Sequence, residues 1–178
     1  VKLSSSTPEE HGEIERLFIS TFSEAEGPAE GELIGGLVRD LLGTTAQEDL
    51  HCFVARQDGR IVGCIVFSRL WFESTIQAFI LAPVAVAPDY QGRGIGQQLI
   101  AFGLDVLSQR GVELAITYGN PAFYAKAGFQ SVSQAVIPAP LPLQQPHGWL
   151  AQSLTGDPIQ PMQGPCTCVD ALNRPDYW

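Results

Sequence analysis

The stretch LAPVAVAPDYQGRGIGQQLI, residues 81–100, decides how the rest of the chain is read. An apolar run broken by Pro83 and Pro88 passes through Gly92, Gly94 and Gly96 into residues with helical spacing. Glycines this close at a strand-to-helix junction let successive backbone N–H groups face one concavity, and the following helix N-terminus adds partial positive charge. Such a place suits a phosphate group. Spacing excludes two nucleotide motifs. A dinucleotide fingerprint counted from Gly92 and Gly94 needs glycine where Gln97 stands, and a Walker loop needs Lys then Ser or Thr after Gly96, where Gln97 and Gln98 follow.

Working outward from this loop, TIQAFILAPVAVA (75–87) predicts a deeply buried strand, irregular at Pro83, which cannot donate to a ladder. Before it, LHCFVARQDGRIVGCIVFSRL (50–70) reads as two strands around an Asp58-Gly59 turn, and the three strands should be antiparallel neighbours. Lys2–Ser5 reads as a short strand. Thr7, Pro8 and Glu10 then form a capping box that starts a helix at about residue 8. Ile14, Leu17, Phe18 and Phe22 give that helix a buried face to about residue 22. The acidic SEAEGPAEGE (23–32) reads as a loop, and Leu33, Leu37 and Leu41 predict a second helix ending near Gly43. Gly35 and Gly36 weaken it by about 1 kcal/mol each relative to alanine, which leaves room for mobility or a break.

Downstream, Ile95, Leu99, Phe102 and Val106 mark a helix that Gly111 ends. VELAITY (112–118) is the next strand, parallel to the 75–87 strand because a helical crossover joins them. NPAFYAKAGF (120–129) predicts a short helix with Asn120 as N-cap, Pro121 at its first position and Gly128 past its end, followed by a strand from about Phe129 to Ile137. The proline-rich remainder carries Trp149, Leu150, Leu154, Tyr177 and Trp178 and should pack on the same domain.

The 178 residues suit a single globular domain, with 45% hydrophobic and 16% charged residues. Nineteen acidic against ten basic side chains give a net charge of −9, which argues against a nucleic-acid partner. An outside partner steered by that field is cationic rather than anionic, although acidity also serves plain solubility. No apolar run approaches the roughly 20 residues of a membrane span. The first residues lack the features of a secretory signal, so the expected location is cytoplasmic. The four cysteines form no Cys-x-x-Cys pair and His11, His51 and His147 have no zinc spacing, so no metal is expected. Cys52 and Cys64 flank the Asp58-Gly59 turn and read as small core residues on neighbouring strands.

The spacing Gln91-x-x-Gly94-x-Gly96 after LAPVAVAPDY, with NPAFYAKAGF downstream, resembles the GCN5-related N-acetyltransferase (GNAT) superfamily. By order of elements the resemblance covers roughly residues 1–137, with 138–178 as an extension packed on the same domain. A tail of the GWLAQSL (148–154) kind is similar to that of a bacterial subgroup of acetyltransferases. The resemblance implies an α/β (mixed α+β) fold: a central, mostly antiparallel twisted sheet with a splayed parallel strand pair and flanking helices. It implies acetyl-coenzyme A as co-substrate, with its pyrophosphate on the amides of Gln91, Gly92, Arg93, Gly94, Ile95, Gly96 and Gln97. Val84, Ala85 and Val86 would offer a free strand edge to the pantetheine, and Pro83, lacking a ladder donor, would help keep that edge open. The Val84 amide would polarise the thioester carbonyl.

Tyr124 matches the family's general acid, and Asn120 would cap its helix and touch the cofactor. Arg93 fits either a phosphate contact or a solvated surface; Tyr124 fits either the acid or a core aromatic whose hydroxyl bonds a backbone group. No general base is legible: TIQAFILAPVAV offers only Gln77, and Glu73, His51 and the acids of 23–32 would act only through water. Glu24, Glu26, Glu30 and Glu32 attract a cationic acceptor or are merely solvated. Trp71 and Phe72, in the turn RLWFES, line an acceptor pocket, a dimer contact or the core. The implied activity is transfer of an acetyl group to a primary amine of a small molecule or peptide by direct attack. A non-catalytic acyl-coenzyme A sensor and a transferase of longer acyl chains are the alternatives. Neither nucleic acid nor membrane is an expected partner, and a monomer and a homodimer fit equally.

Overall fold

The computed structural model describes residues 1–178. The chain divides into two units, residues 1–67 with 83–103 and residues 68–82 with 104–178. In the first unit β1 (Lys2–Ser5) pairs antiparallel with β2 (Leu50–Gln57), from Lys2 opposite Arg56 to Ser5 opposite Phe53. β3 (Arg60–Trp71) follows across Asp58 and Gly59, whose φ values of 52° and 76° are those of a tight turn with two left-handed residues. The hairpin expected there forms, and it brings Cys52 Sγ and Cys64 Sγ to 3.5 Å as buried free thiols. Gly103 lets Phe53 and Phe67 approach closely, since a Cβ there would lie 2.8 Å from Phe67.

The capping box forms at Thr7, but it opens a 3-10 turn at Pro8–Glu10, and α1 runs from His11 to Glu26. The acidic stretch read as a loop is therefore helical on both sides of one residue. Gly27, at φ 100°, breaks the chain direction, and α2 begins at Pro28 and runs to Thr44. Alanine and glutamate are good helix formers and proline suits a first helical position, so a single left-handed glycine is punctuation enough. Gly31 and Gly35 are contact positions rather than weak points. A Cβ on Gly31 would lie 1.8 Å from Ser23 Oγ, and one on Gly35 would lie 2.3 Å from Ile19 Cγ1, so the two helices touch where α2 has no side chain.

Glu10 also joins the helix entry to the sheet. Its carboxylate accepts from Arg56 Nε at 2.8 Å and from the Thr7 amide at 2.8 Å. Burial pushes the carboxyl up, but the bonds from Arg56 and Thr7 together outweigh it and hold the pKa below its ordinary value. A carboxyl held low stabilises the fold fully above its unfolded pKa, and that contribution disappears as pH falls through the folded value. The stability advantage of the native protein over Glu10→Gln, read from urea midpoints, should therefore shrink between about pH 5 and pH 3. A gap that did not change with pH would leave the carboxylate no electrostatic part.

In the second unit β4 (Ala78–Val86, its last residues belonging to the first unit) pairs in parallel with β5 (Leu114–Tyr118), from Ala78 opposite Leu114 to Leu81 opposite Thr117. α3 (Ile95–Gln109) makes the crossover that a parallel pair requires. The expected strand at 129–137 shrinks to β6 (Gln130–Ser131), and it does not adjoin β5. β7 (Trp149–Ser153) lies between them, pairing antiparallel with β5 from Leu114–Ser153 to Tyr118–Trp149 and with β6 on its other edge. β8 (Thr167–Cys168) pairs with the end of β3, so Trp71, expected in a turn, is a strand residue opposite Thr167. The hydrogen-bonded order is β1-β2-β3-β4-β5-β7-β6, with β8 on β3. Connections of two and six residues are too short for parallel crossovers, so β2, β3 and β4 run antiparallel, as the sequence predicts. No helix is long and apolar enough to cross a membrane.

Candidate active site

β4 changes character along its length. Ala78 to Leu81 are all buried, whereas from Ala82 to Val86 buried and half-buried residues alternate, with Ala82, Val84 and Val86 half-buried and Pro83 and Ala85 buried. The change falls where the register with β5 ends, at Leu81–Thr117. Beyond that pair β4 stays beside β3, with the Ala87 amide donating to the Val62 carbonyl at 2.8 Å, but its β5-side edge runs on uncovered past Pro83, which lacks an amide hydrogen. The strand edge offered by Val84, Ala85 and Val86 is the arrangement expected of a splayed pair.

The loop leaves β4 through a 3-10 turn at Pro88–Tyr90. Gln91 folds back on the strand, its Nε2 donating to the Val86 carbonyl at 2.9 Å. Gly92 and Gly94 have φ of 76° and 80°, a conformation that disfavours side chains and turns consecutive amides to one side. Gln91 to Gly94 are exposed, while Ile95 and Gly96, already in α3, are buried. The first-turn amides of a helix have no intrahelical acceptor, so those of Ile95 and Gly96 can turn to a ligand. Gly63 on β3 allows this close approach of α3, because a Cβ there would lie 2.9 Å from Leu99 and 3.3 Å from Ile95. Arg93 braces the loop, donating to the Asp89 carbonyl at 2.9 Å and lying 5.1 Å over the Tyr90 ring. Exposed amides, a helix N-terminus and an unpaired strand edge suit a ligand with a diphosphate at one end and amides along its length.

The second group of candidate residues sits on α4 (Pro121–Ala125). Asn120 caps it as the sequence predicts: its Oδ1 accepts from Ala122 at 2.9 Å and from Phe123 at 3.3 Å, which leaves its Nδ2 for other partners. Tyr124 packs edge-on against Phe129 at 5.9 Å. Burial pushes its pKa up, and the neighbouring Thr117 hydroxyl draws it part of the way back. A phenol kept protonated at neutral pH is a proton donor, not a base.

Sequence reasoning missed two residues here. Thr117 is fully buried and its Oγ1 donates to the Leu81 carbonyl at 2.8 Å, and a Cβ on Gly119 would lie 2.8 Å from Tyr124 Cε2. The available signal was a hydroxyl in a largely apolar strand and a glycine just past its end, before the Asn120 cap. Gln77 accepts from Arg69 at 2.5 Å and donates to Glu113 at 2.9 Å, His51 stacks on Phe53, and Glu73 is exposed. Glu24, Glu26 and Glu32 are exposed and Glu30 is half-buried, all on α1 and α2.

Residues 48–131 match the acetyltransferase (GNAT) domain family. The chain is 34% identical over 140 residues to the uncharacterized N-acetyltransferase YjhQ of Escherichia coli (strain K12), a match covering 75% of this chain and 77% of YjhQ. It is 33% identical over 109 residues to the uncharacterized N-acetyltransferase YhbS of the same strain, covering 59% of this chain and 60% of YhbS. The crystal structure of Escherichia coli YhbS in complex with CoA has a TM-score of 0.80 at 26% identity and covers 97% of this chain and 92% of that one. A GNAT family acetyltransferase from Brucella melitensis shares the fold, with a TM-score of 0.76 at 24% identity over 97% of both chains. With a relative this similar matched over three quarters of its length and the family's glycine loop, split strand pair and tyrosine helix all present, the chain belongs to the GCN5-related N-acetyltransferase superfamily and is an acyltransferase.

Proposed function

We propose that the protein transfers an acetyl group from acetyl-coenzyme A to a primary amine of a small molecule or peptide by direct attack. The observation that carries this reading is the loop Gln91–Gln97, where two exposed, left-handed glycines lead into the N-terminus of α3 beyond a strand edge that β5 does not cover. The amides of Gln91, Gly92, Arg93, Gly94, Ile95, Gly96 and Gln97 hold the pyrophosphate, and Val84, Ala85 and Val86 bond the pantetheine amides. Acetyl-coenzyme A supplies an activated acetyl group on a thioester. The Val84 amide polarises its carbonyl, Tyr124 protonates the departing thiolate, and the Asn120 Nδ2 is a further cofactor contact. A net charge of −9 favours a cationic acceptor. The CoA complex of YhbS supports the donor.

Calorimetry with coenzyme A tests the donor. Binding in the micromolar range is expected, weakened at least tenfold by Gly94→Val, which forces a branched side chain into a left-handed position. Absence of binding at millimolar ligand would remove the donor assignment. A panel of amines assayed for coenzyme A release tests the transfer. Tight binding without release across cationic, neutral and peptide amines would favour a sensor.

A further inference from the structure

We propose that Thr117 is a positioning residue for Tyr124: its hydroxyl, bonded at rest to the Leu81 carbonyl, turns to donate to the Tyr124 oxygen as that oxygen gives up its proton. This rests on Tyr124 acting as the proton donor. Thr117 is the last buried residue of β5, and two residues on, just past the strand's end at Tyr118, Gly119 leads through Asn120 into α4. Gly119 makes room for the ring, since a Cβ there would lie 2.8 Å from Tyr124 Cε2. Thr117 supplies the one hydroxyl among the buried residues of β5, the others being Leu114, Ala115 and Ile116. Valine would match its shape and its strand preference, so packing alone does not call for a hydroxyl.

At rest that hydroxyl donates to Leu81, in the last register pair before β4 parts from β5. A tyrosinate forming in half-buried surroundings needs a donor, because burial penalises its charge. No charged group perturbs Tyr124; burial and Thr117 do, in opposite directions. In the step, the Tyr124 O–H bond breaks as an S–H bond forms on the leaving thiolate. The Thr117 O–H bond stays intact and only changes acceptor, from Leu81 O to Tyr124 Oη. Solvent reprotonates Tyr124 and receives the proton shed by the acylated amine.

The first test needs no acceptor. Protein carrying 3-fluorotyrosine, which ionises at lower pH than tyrosine, is titrated by fluorine NMR, and the Tyr124 signal is assigned as the one missing in Tyr124→Phe. Thr117→Val should raise the Tyr124 midpoint by about one pH unit, the worth of one hydrogen bond, and Thr117→Ser should restore it. The second test uses an amine from the release screen. Thr117→Val should lower kcat about tenfold with KM for acetyl-coenzyme A within about twofold, and should have no further effect in a Tyr124→Phe background. An unchanged midpoint, or a Thr117→Val loss that persists without the Tyr124 hydroxyl, overturns the proposal. Full turnover in Tyr124→Phe overturns the acid role and this one with it, a failure recognisable because the midpoint shift would remain.

Discussion

Tyr124→Phe is expected to lower kcat by about 100-fold while leaving coenzyme A affinity within about twofold. General acids contribute from about 10² to 10⁴, and the lower end applies because a thiol with a pKa of about 8.5 leaves tolerably well as thiolate. Phenylalanine keeps the ring that packs on Phe129 and fills the space above Gly119, so neither α4 nor the glycine loop should move. The loss should therefore fall on kcat rather than on binding, the pattern of an interaction made only in the transition state. Steady-state kinetics with an amine from the release screen, paired with calorimetry on the same sample, separates the two. Undiminished kcat would return Tyr124 to a packing role.

Trp149→Ala should destabilise the protein by about 4 kcal/mol, near the upper range for a core substitution. The indole is fully buried, its Nε1 donates to the Ile137 carbonyl at 2.8 Å, and it meets Tyr118 at 6.3 Å and Trp178 at 6.1 Å, both edge-on. Removing it opens a large cavity and leaves a buried carbonyl without its donor, which adds about 1 kcal/mol or more. For a chain of this size the melting temperature should drop by about 10 °C. Trp149→Phe keeps most of the volume and should cost roughly half as much. A drop of only a degree or two would mean that β7 is a surface attachment and not part of the core.

The legible parts of the fold were those whose chemistry is local. Asp58-Gly59 and Asn120-Pro121 carry their turn and cap within two residues, and both form as read. The loop at 91–97 was legible as a turn into a helix, because Gly92 and Gly94 stand where the backbone becomes left-handed just before α3. Residues 23–32 were misread because Glu, Gly and Pro in one stretch look like a loop, while only Gly27 leaves helical geometry. Gly35 was read as a helix weakness because its partner, Ile19, lies on another helix and is invisible to propensity. β7 was hidden for a stronger reason: its pairing with β5 joins residues more than thirty apart, and no local pattern in a proline-rich segment announces it. Thr117 belongs to the same class, since its partners come from a different strand and a different helix.

The interleaved order of β5, β7 and β6 also bears on how the chain is made. On the ribosome Leu114–Tyr118 can be matched with Ala78–Leu81 early, but its other side waits for Trp149–Ser153. At about 5–20 residues per second that wait is on the order of a few seconds, during which a row of apolar residues with unpaired amides and carbonyls faces water or a chaperone. Nascent chains halted near residue 137 should therefore be far more prone to aggregate than those halted past residue 153, a difference set by strand order alone.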